Sequence, residues 1–229
     1  TRKESSAASD VYKRQEYHTF VAKALFLCKQ ARPDLHTAVA VLCTRVQHPT
    51  IEDWNKLVRL LKYCNGTIND VLTLQADNLN TITWYVDSAF AVHPDFKSHT
   101  GAVMTFGHGA VQTISRKQKL NTRSSTEAEL VAADDVANMI LWTKYFMEAQ
   151  GITITKNILM QDNKSTILLL KNGKRSSSKR TRALNIRYFY LTDQIEKDLI
   201  SVTYCAAMQM VADFMSKPLQ GRLFHGLGK

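Results

Sequence analysis

The chain has 229 residues, 45% of them hydrophobic and 22% charged, which is length for one or two domains and enough apolar matter to exclude disorder as the main state. Lys and Arg total 30 against 20 Asp and Glu, a net charge of +10. No uncharged apolar run approaches the roughly 18 residues of a membrane span, so no membrane partner is expected.

Residues 1–16 are polar, show no apolar periodicity and read as a disordered tail without a secretory leader. From Tyr17 the spacing turns helical. Phe20, Val21, Ala24, Leu25 and Cys28 share one face, and Pro33 ends the run. Asp34 is a candidate cap for a second helix carrying Leu35, Val39, Leu42 and Val46. Thr50 caps a third with Trp54, Leu57, Leu61 and Cys64, stopped near Gly66. Val71–Leu74 reads as a strand leaving this small bundle. The four cysteines (Cys28, Cys43, Cys64, Cys205) form no CxxC pair and read as buried apolar residues of a reducing compartment.

The polar stretch from Gln75 to Asn80 is the expected boundary, giving helical residues 17–76, an α/β domain over 77–220 and a tail over 221–229. Strands are expected at Thr81–Ala89, Gly101–Phe106 and Ala110–Ser115. A long helix follows from Ser125 to Ala149, then a strand at Asn157–Gln161 and a helix at Lys164–Leu170. Gly173–Arg180 reads as a basic loop, Leu184–Lys197 as helix, Ser201–Tyr204 as strand and Val211–Met215 as a last helical turn. That order specifies a mixed five-stranded sheet with an antiparallel meander first and helices on its faces.

Four acids stand out. Asp87 lies inside an apolar strand, where a bare carboxylate is costly unless it binds something. Glu127 is in the first turn of the long helix, Asp162 ends a strand, and Asp213 opens the last turn. Carboxylates gathered on one rim repel one another and need compensating cations, and all-oxygen ligands point to Mg2+ or Mn2+, two ions in a phosphodiester-cleaving site. Each acid also has an innocent reading: Ser124-x-x-Glu127 fits a capping box, and Asp162 and Asp213 could cap helices. Glu129, Asp134 and Asp135 read as the polar side of the long helix. Trp84 and Trp142 read as core, and His93, His99 and His108 as loop histidines.

Basic residues flank these acids. Arg116, Lys117, Lys119 and Arg123 form one cluster. No acid lies between Asp162 and Asp193, a stretch holding Lys164, Lys171, Lys174, Arg175, Lys179, Arg180, Arg182 and Arg187. Such blocks suit a polyanion, because each neutralised phosphate releases a counterion. The candidate nucleic-acid contacts are Arg116, Lys117, Lys119, Arg123, Ser124, Asn163, Lys164, Lys174, Arg175, Lys179, Arg180 and Arg182.

The segments WYVDSAFAVHPDFKSHTGAVMTFG, QKLNTRSSTEAEL, QDNKSTILLLKNG, TRALNIRYFYLTDQI and VADFMSKPLQG together resemble the ribonuclease H domain of copia-type retrotransposon polyproteins over about residues 82–220. Residues 17–76 resemble the end of the neighbouring reverse transcriptase, its thumb and connection. The resemblance implies a ribonuclease H-like fold, with Asp87, Glu127, Asp162 and Asp213 as metal-binding carboxylates that cut the RNA strand of an RNA–DNA hybrid. It also implies partnership with the element's reverse transcriptase and integrase, in a cytoplasmic particle or the nucleus. Two features depart from it. Ala183 stands where the family usually has histidine, which leaves a non-cleaving, nucleic-acid-binding remnant as the alternative, and no polymerase palm motif with paired aspartates is present. Proofreading exonucleases are disfavoured because Ala89, not Glu, follows Asp87-Ser88; integrases, because their Glu comes last.

Overall fold

The structure is a computed structural model that describes residues 2–173 and 185–219, with side chains over 13–173 and 190–219. Contacts divide the chain into two compact units, Thr1–Leu72 and Thr73–Lys229.

In the first unit, α1 (Arg2–Gln30), α2 (His36–Cys43) and α3 (Ile51–Gly66) bury Tyr17, Val21, Ala24, Cys28, Leu35, Val39, Leu42, Leu57 and Leu60. Helix α1 thus begins well before Tyr17, and the expected tail is helical. Residues 2–16 contain many good helix formers and neither Gly nor Pro, so a helix extends through them without an apolar face of their own. Thr50 makes the expected cap: its hydroxyl accepts the Asp53 N–H at 3.2 Å, while Asp53 accepts the Thr50 N–H at 2.9 Å. Asp34 caps nothing. It lies in a 3-10 turn, Pro33–Leu35, held by both forks of Arg32 and by the Tyr63 hydroxyl. Leu60 rather than Leu61 is buried on α3. All four cysteines are free thiols.

The second unit is a mixed sheet. Strands β2 (Thr81–Ala89), β3 (His99–Thr105) and β5 (Gln112–Lys117) form the antiparallel meander, and β6 (Lys156–Gln161) and β7 (Ser201–Tyr204) add in parallel, in the order β5-β3-β2-β6-β7. This is the mixed five-stranded sheet, antiparallel meander first, that the order of elements in the sequence specifies. A separate ribbon pairs β1 (Gln75–Ala76) with β4 (Gly107–His108). Val71–Leu74 is not a strand; its apolar residues are exposed or partly so and have no ladder partner. Helix α4 (Ser125–Ala149) lays an alanine-rich stripe on β2 and β3, and α5 (Lys164–Asn172), α6 (Asn185–Glu196) and the short α7 (Asp213–Ser216) complete the unit. The core holds Ile82, Trp84, Val86, Leu130, Val136, Ile140, Leu159 and Leu191. Trp84 is core as expected; Trp142 is not, being 55% exposed and stacked on Phe146.

Candidate metal centre and its surroundings

Parallel pairing sets the site. Tyr85 on β2 lies opposite Met160 on β6, so two residues further along each strand Asp87 and Asp162 reach the same sheet edge. Strand ends of this kind are where α/β proteins build sites. Asp87 is 1% exposed, Asp162 half-buried.

The third carboxylate is Glu129. Ligand oxygens of Asp87, Glu129 and Asp162 all lie within 4.8 Å of one another. Glu129 is buried in the second turn of α4. Its Oε1 accepts the backbone N–H of Ser88 at 3.2 Å, and its Oε2 accepts from Gln161 Nε2 at 3.3 Å. Gln161 Oε1 in turn accepts the Asn163 N–H at 3.0 Å, so one side chain ties Glu129 to the turn that carries Asp162.

Glu127 is outside this group. Its backbone N–H donates to Ser124 Oγ at 3.2 Å, and its Oε2 reaches back to accept the Arg123 N–H at 2.6 Å. It therefore occupies the capping arrangement, on a face of α4 turned from Asp87 and Asp162. A legible signal did distinguish the two glutamates. Counting from Glu129, the positions three, four, seven, eight and eleven residues on are Ala132, Ala133, Val136, Ala137 and Ile140, all buried. Glu129 is the acid on the core-facing stripe, and the Ser-x-x-Glu spacing already accounted for Glu127.

Asp213 stands at the rim, the first residue of α7. Its Oδ1 lies 2.5 Å from Lys217 Nζ, which is also 3.2 Å from Asp87 Oδ2. Ser216 Oγ donates to the same Asp87 oxygen. Helix α7 can come this close because Gly101, the β3 partner of Asp87, has no side chain: a Cβ there would lie 2.6 Å from Ser216 N and 2.8 Å from Ala212 O.

Burial and crowding shift these groups together. Burial pushes Asp87 up; Lys217 and Ser216 oppose the shift, and Asp213 reinforces it. Glu129 is raised by burial and then by the charges of Asp87 and Asp162. Asp162 is raised by burial and by Asp213, with Lys217 opposing. Burial and mutual repulsion bias all three toward the protonated form, a bias that a bound cation would relieve. Every donor in the group is a carboxylate oxygen, the set that suits a hard divalent ion such as Mg2+ or Mn2+.

The first basic cluster is partly neutralised from within. Arg116 lies 3.2 Å from Asp135, and Lys117 lies 2.7 Å from Asp95. Lys119 and Arg123 are exposed. Ser124 and Asn163 act as the caps of α4 and α5, each accepting a backbone N–H. Exposed Lys164 sits over the Tyr204 ring at 5.2 Å. Lys174, Arg175, Lys179, Arg180, Arg182 and Ala183 lie outside the described residues. His93, in a loop as expected, and His99, on β3 rather than in a loop, are both buried. His93 Nε2 and His99 Nδ1 are 3.0 Å apart, and His99 Nε2 is 2.8 Å from Ser115 Oγ, which donates to Met215 O at 2.8 Å. They brace the strand edge beneath α7. His108, on β4, is exposed.

No protein-family model matches the sequence. Among curated proteins, the chain is 28% identical over 202 residues to the retrovirus-related Pol polyprotein from transposon TNT 1-94 of Nicotiana tabacum, covering 88% of this chain and 15% of that protein. It is 29% identical over 211 residues to the Pol polyprotein from transposon RE1 of Arabidopsis thaliana, covering 91% of this chain and 14% of that one. The chain is similar in sequence to retrotransposon Pol polyproteins. It spans about one seventh of the length of the relatives it matches. Among solved structures, LC11-RNase H1 isolated from compost aligns with a TM-score of 0.46 at 13% identity, covering 60% of this chain and 93% of that one. Against these Pol relatives the match runs through both units, helical and α/β alike.

Proposed function

We propose that the chain carries the ribonuclease H activity of a retrotransposon polyprotein, hydrolysing the RNA strand of an RNA–DNA hybrid with two divalent ions. The observation that carries this reading is the convergence of Asp87, Glu129 and Asp162 within 4.8 Å, from a strand, a helix and a strand end far apart in sequence. Those three would hold the ions, with Asp213 completing the set from the rim. Bound Mg2+ or Mn2+ would supply an activated water and compensate the charge of the leaving oxygen.

The chain's own residues do the positioning. The Ser88 N–H and the Gln161 amide fix both oxygens of Glu129, and Ser216 fixes one oxygen of Asp87. Lys119, Arg123 and Lys164 offer exposed cations to backbone phosphates. Preference for RNA in the cut strand would come from 2′-hydroxyl contacts and duplex shape rather than base reading. In the polyprotein the substrate would come from the reverse transcriptase, which the helical unit resembles at its end.

The test is a labelled RNA–DNA hybrid incubated with the chain in Mg2+. RNA cleavage that EDTA stops and Asp87→Asn abolishes is the expected result. A wild-type chain that binds the hybrid and leaves it intact in Mg2+ and in Mn2+ overturns the enzyme reading in favour of a binding remnant.

A further inference from the structure

We propose that Lys217 is a built-in counter-ion that holds the Asp87–Asp213 side of the cluster and competes there with one of the two divalent ions. The inference rests on the metal-dependent reading above and extends it to the order in which the ions load.

The ammonium of Lys217 sits between two carboxylates that no other described cation pairs with. Nζ is 2.5 Å from Asp213 Oδ1, 3.2 Å from Asp87 Oδ2 and 3.5 Å from Asp87 Oδ1. Asp87 is almost fully buried, while the Lys217 side chain is 39% exposed, so the cation enters from the solvent side and can leave by it. The backbone holds it in reach. Pro218 disfavours helix at the preceding residue, α7 stops at Ser216, and Lys217 is extended, with φ −124° and ψ 143°. Lysine suits the role, being a compact charge on a flexible stem with no planar fork to lock it in place.

The cluster is therefore unequal. Asp87, Glu129 and Asp162 form a group open to one ion, and Asp213 lies across Lys217 from it. One ion binds the free chain on the three-carboxylate side. A second binds on the Asp213 side only when Lys217 withdraws, as it can when a substrate phosphate offers the ammonium another partner.

The experiment is calorimetric titration of the full chain with Mn2+ in the absence of nucleic acid, with thermal melts in EDTA and in Mn2+. Wild type is expected to take up one ion. Lys217→Met is expected to take up two, or to bind its weaker ion at least about tenfold more tightly, as removal of a unit charge a few ångströms away predicts. In EDTA it should melt below wild type, and Mn2+ should raise its melting temperature more than that of wild type. Lys217→Arg should keep the wild-type stoichiometry, and Lys217→Gln serves if the Met variant does not fold. Two ions bound by wild type, or identical isotherms for wild type and the neutral variants, overturn the role of Lys217 while leaving the metal-dependent reading intact. No binding to either protein at millimolar Mn2+ overturns both.

Discussion

Asp87 and Gly101 face each other across β2 and β3, and the missing side chain at Gly101 is what lets α7 close over Asp87. Ser216, Lys217 and Asp213 all reach the cluster through that gap. A methyl group there would meet backbone atoms of Ala212, Met215 and Ser216, which cannot rotate away. Gly101→Ala should cost about 1–3 kcal/mol by overpacking and push α7 off the sheet. A lowered thermal midpoint together with reduced hybrid cleavage checks this. A variant as stable and active as wild type would show that α7 does not need its close seat.

The two glutamates at the start of α4, Glu127 and Glu129, separate cleanly by role. Glu129→Gln keeps the shape and removes a charge from the group, so hybrid cleavage should fall more than about 100-fold with the fold retained. Glu127→Gln should cut within a few-fold of wild type and lose at most about 1 kcal/mol of helix stability through a weakened cap. Single-turnover rates beside thermal melts distinguish them, and the reverse pattern would return Glu127 to the site.

Stability should depend on pH and cation together. Asp87, Glu129 and Asp162 are all raised in the folded chain. A raised carboxylate favours its protonated form, so its contribution is present below the unfolded value, near about 4, and is lost as pH rises through the folded value. Divalent ions bind the ionised form and reverse that loss. The gain in melting temperature from millimolar Mg2+ should therefore be larger at pH about 8 than at about 5. An equal gain at both pH values would mean that the ion does not bind these carboxylates.

Among the basic residues, exposure and pairing set the ranking for hybrid binding. Lys119→Gln and Arg123→Gln should each weaken binding and reduce the salt slope by about 1. Arg116→Gln and Lys117→Gln should do less, since Asp135 and Asp95 already offset those charges. Binding measured across a salt series reads this directly, and equal slopes for all four variants would remove the distinction.

Local pattern alone determined the architecture. Period-two runs marked β2 and β7 at their observed limits, the apolar stripe marked α4 from Ser125 to Ala149, and their order imposed an antiparallel meander followed by parallel strands. The pattern also put Asp87 and Asp162 at strand positions that parallel pairing brings to one edge. It failed where two local roles were available to similar residues. Glu127 and Glu129 lie two apart in one helical turn, about 200° around the axis; the apolar stripe that runs on from Glu129 marks it as the inward one, and the first-turn position of Glu127 competed with that signal until the sheet beneath α4 fixed the face. The same holds for His99, which sits on a strand rather than a loop, and for Trp142, whose side of α4 receives no covering element among the described residues. Nothing in the linear order placed Lys217 against Asp87, 130 residues away. That contact exists because Gly101 leaves room for α7, and such room is a property of packed backbones that no single segment encodes.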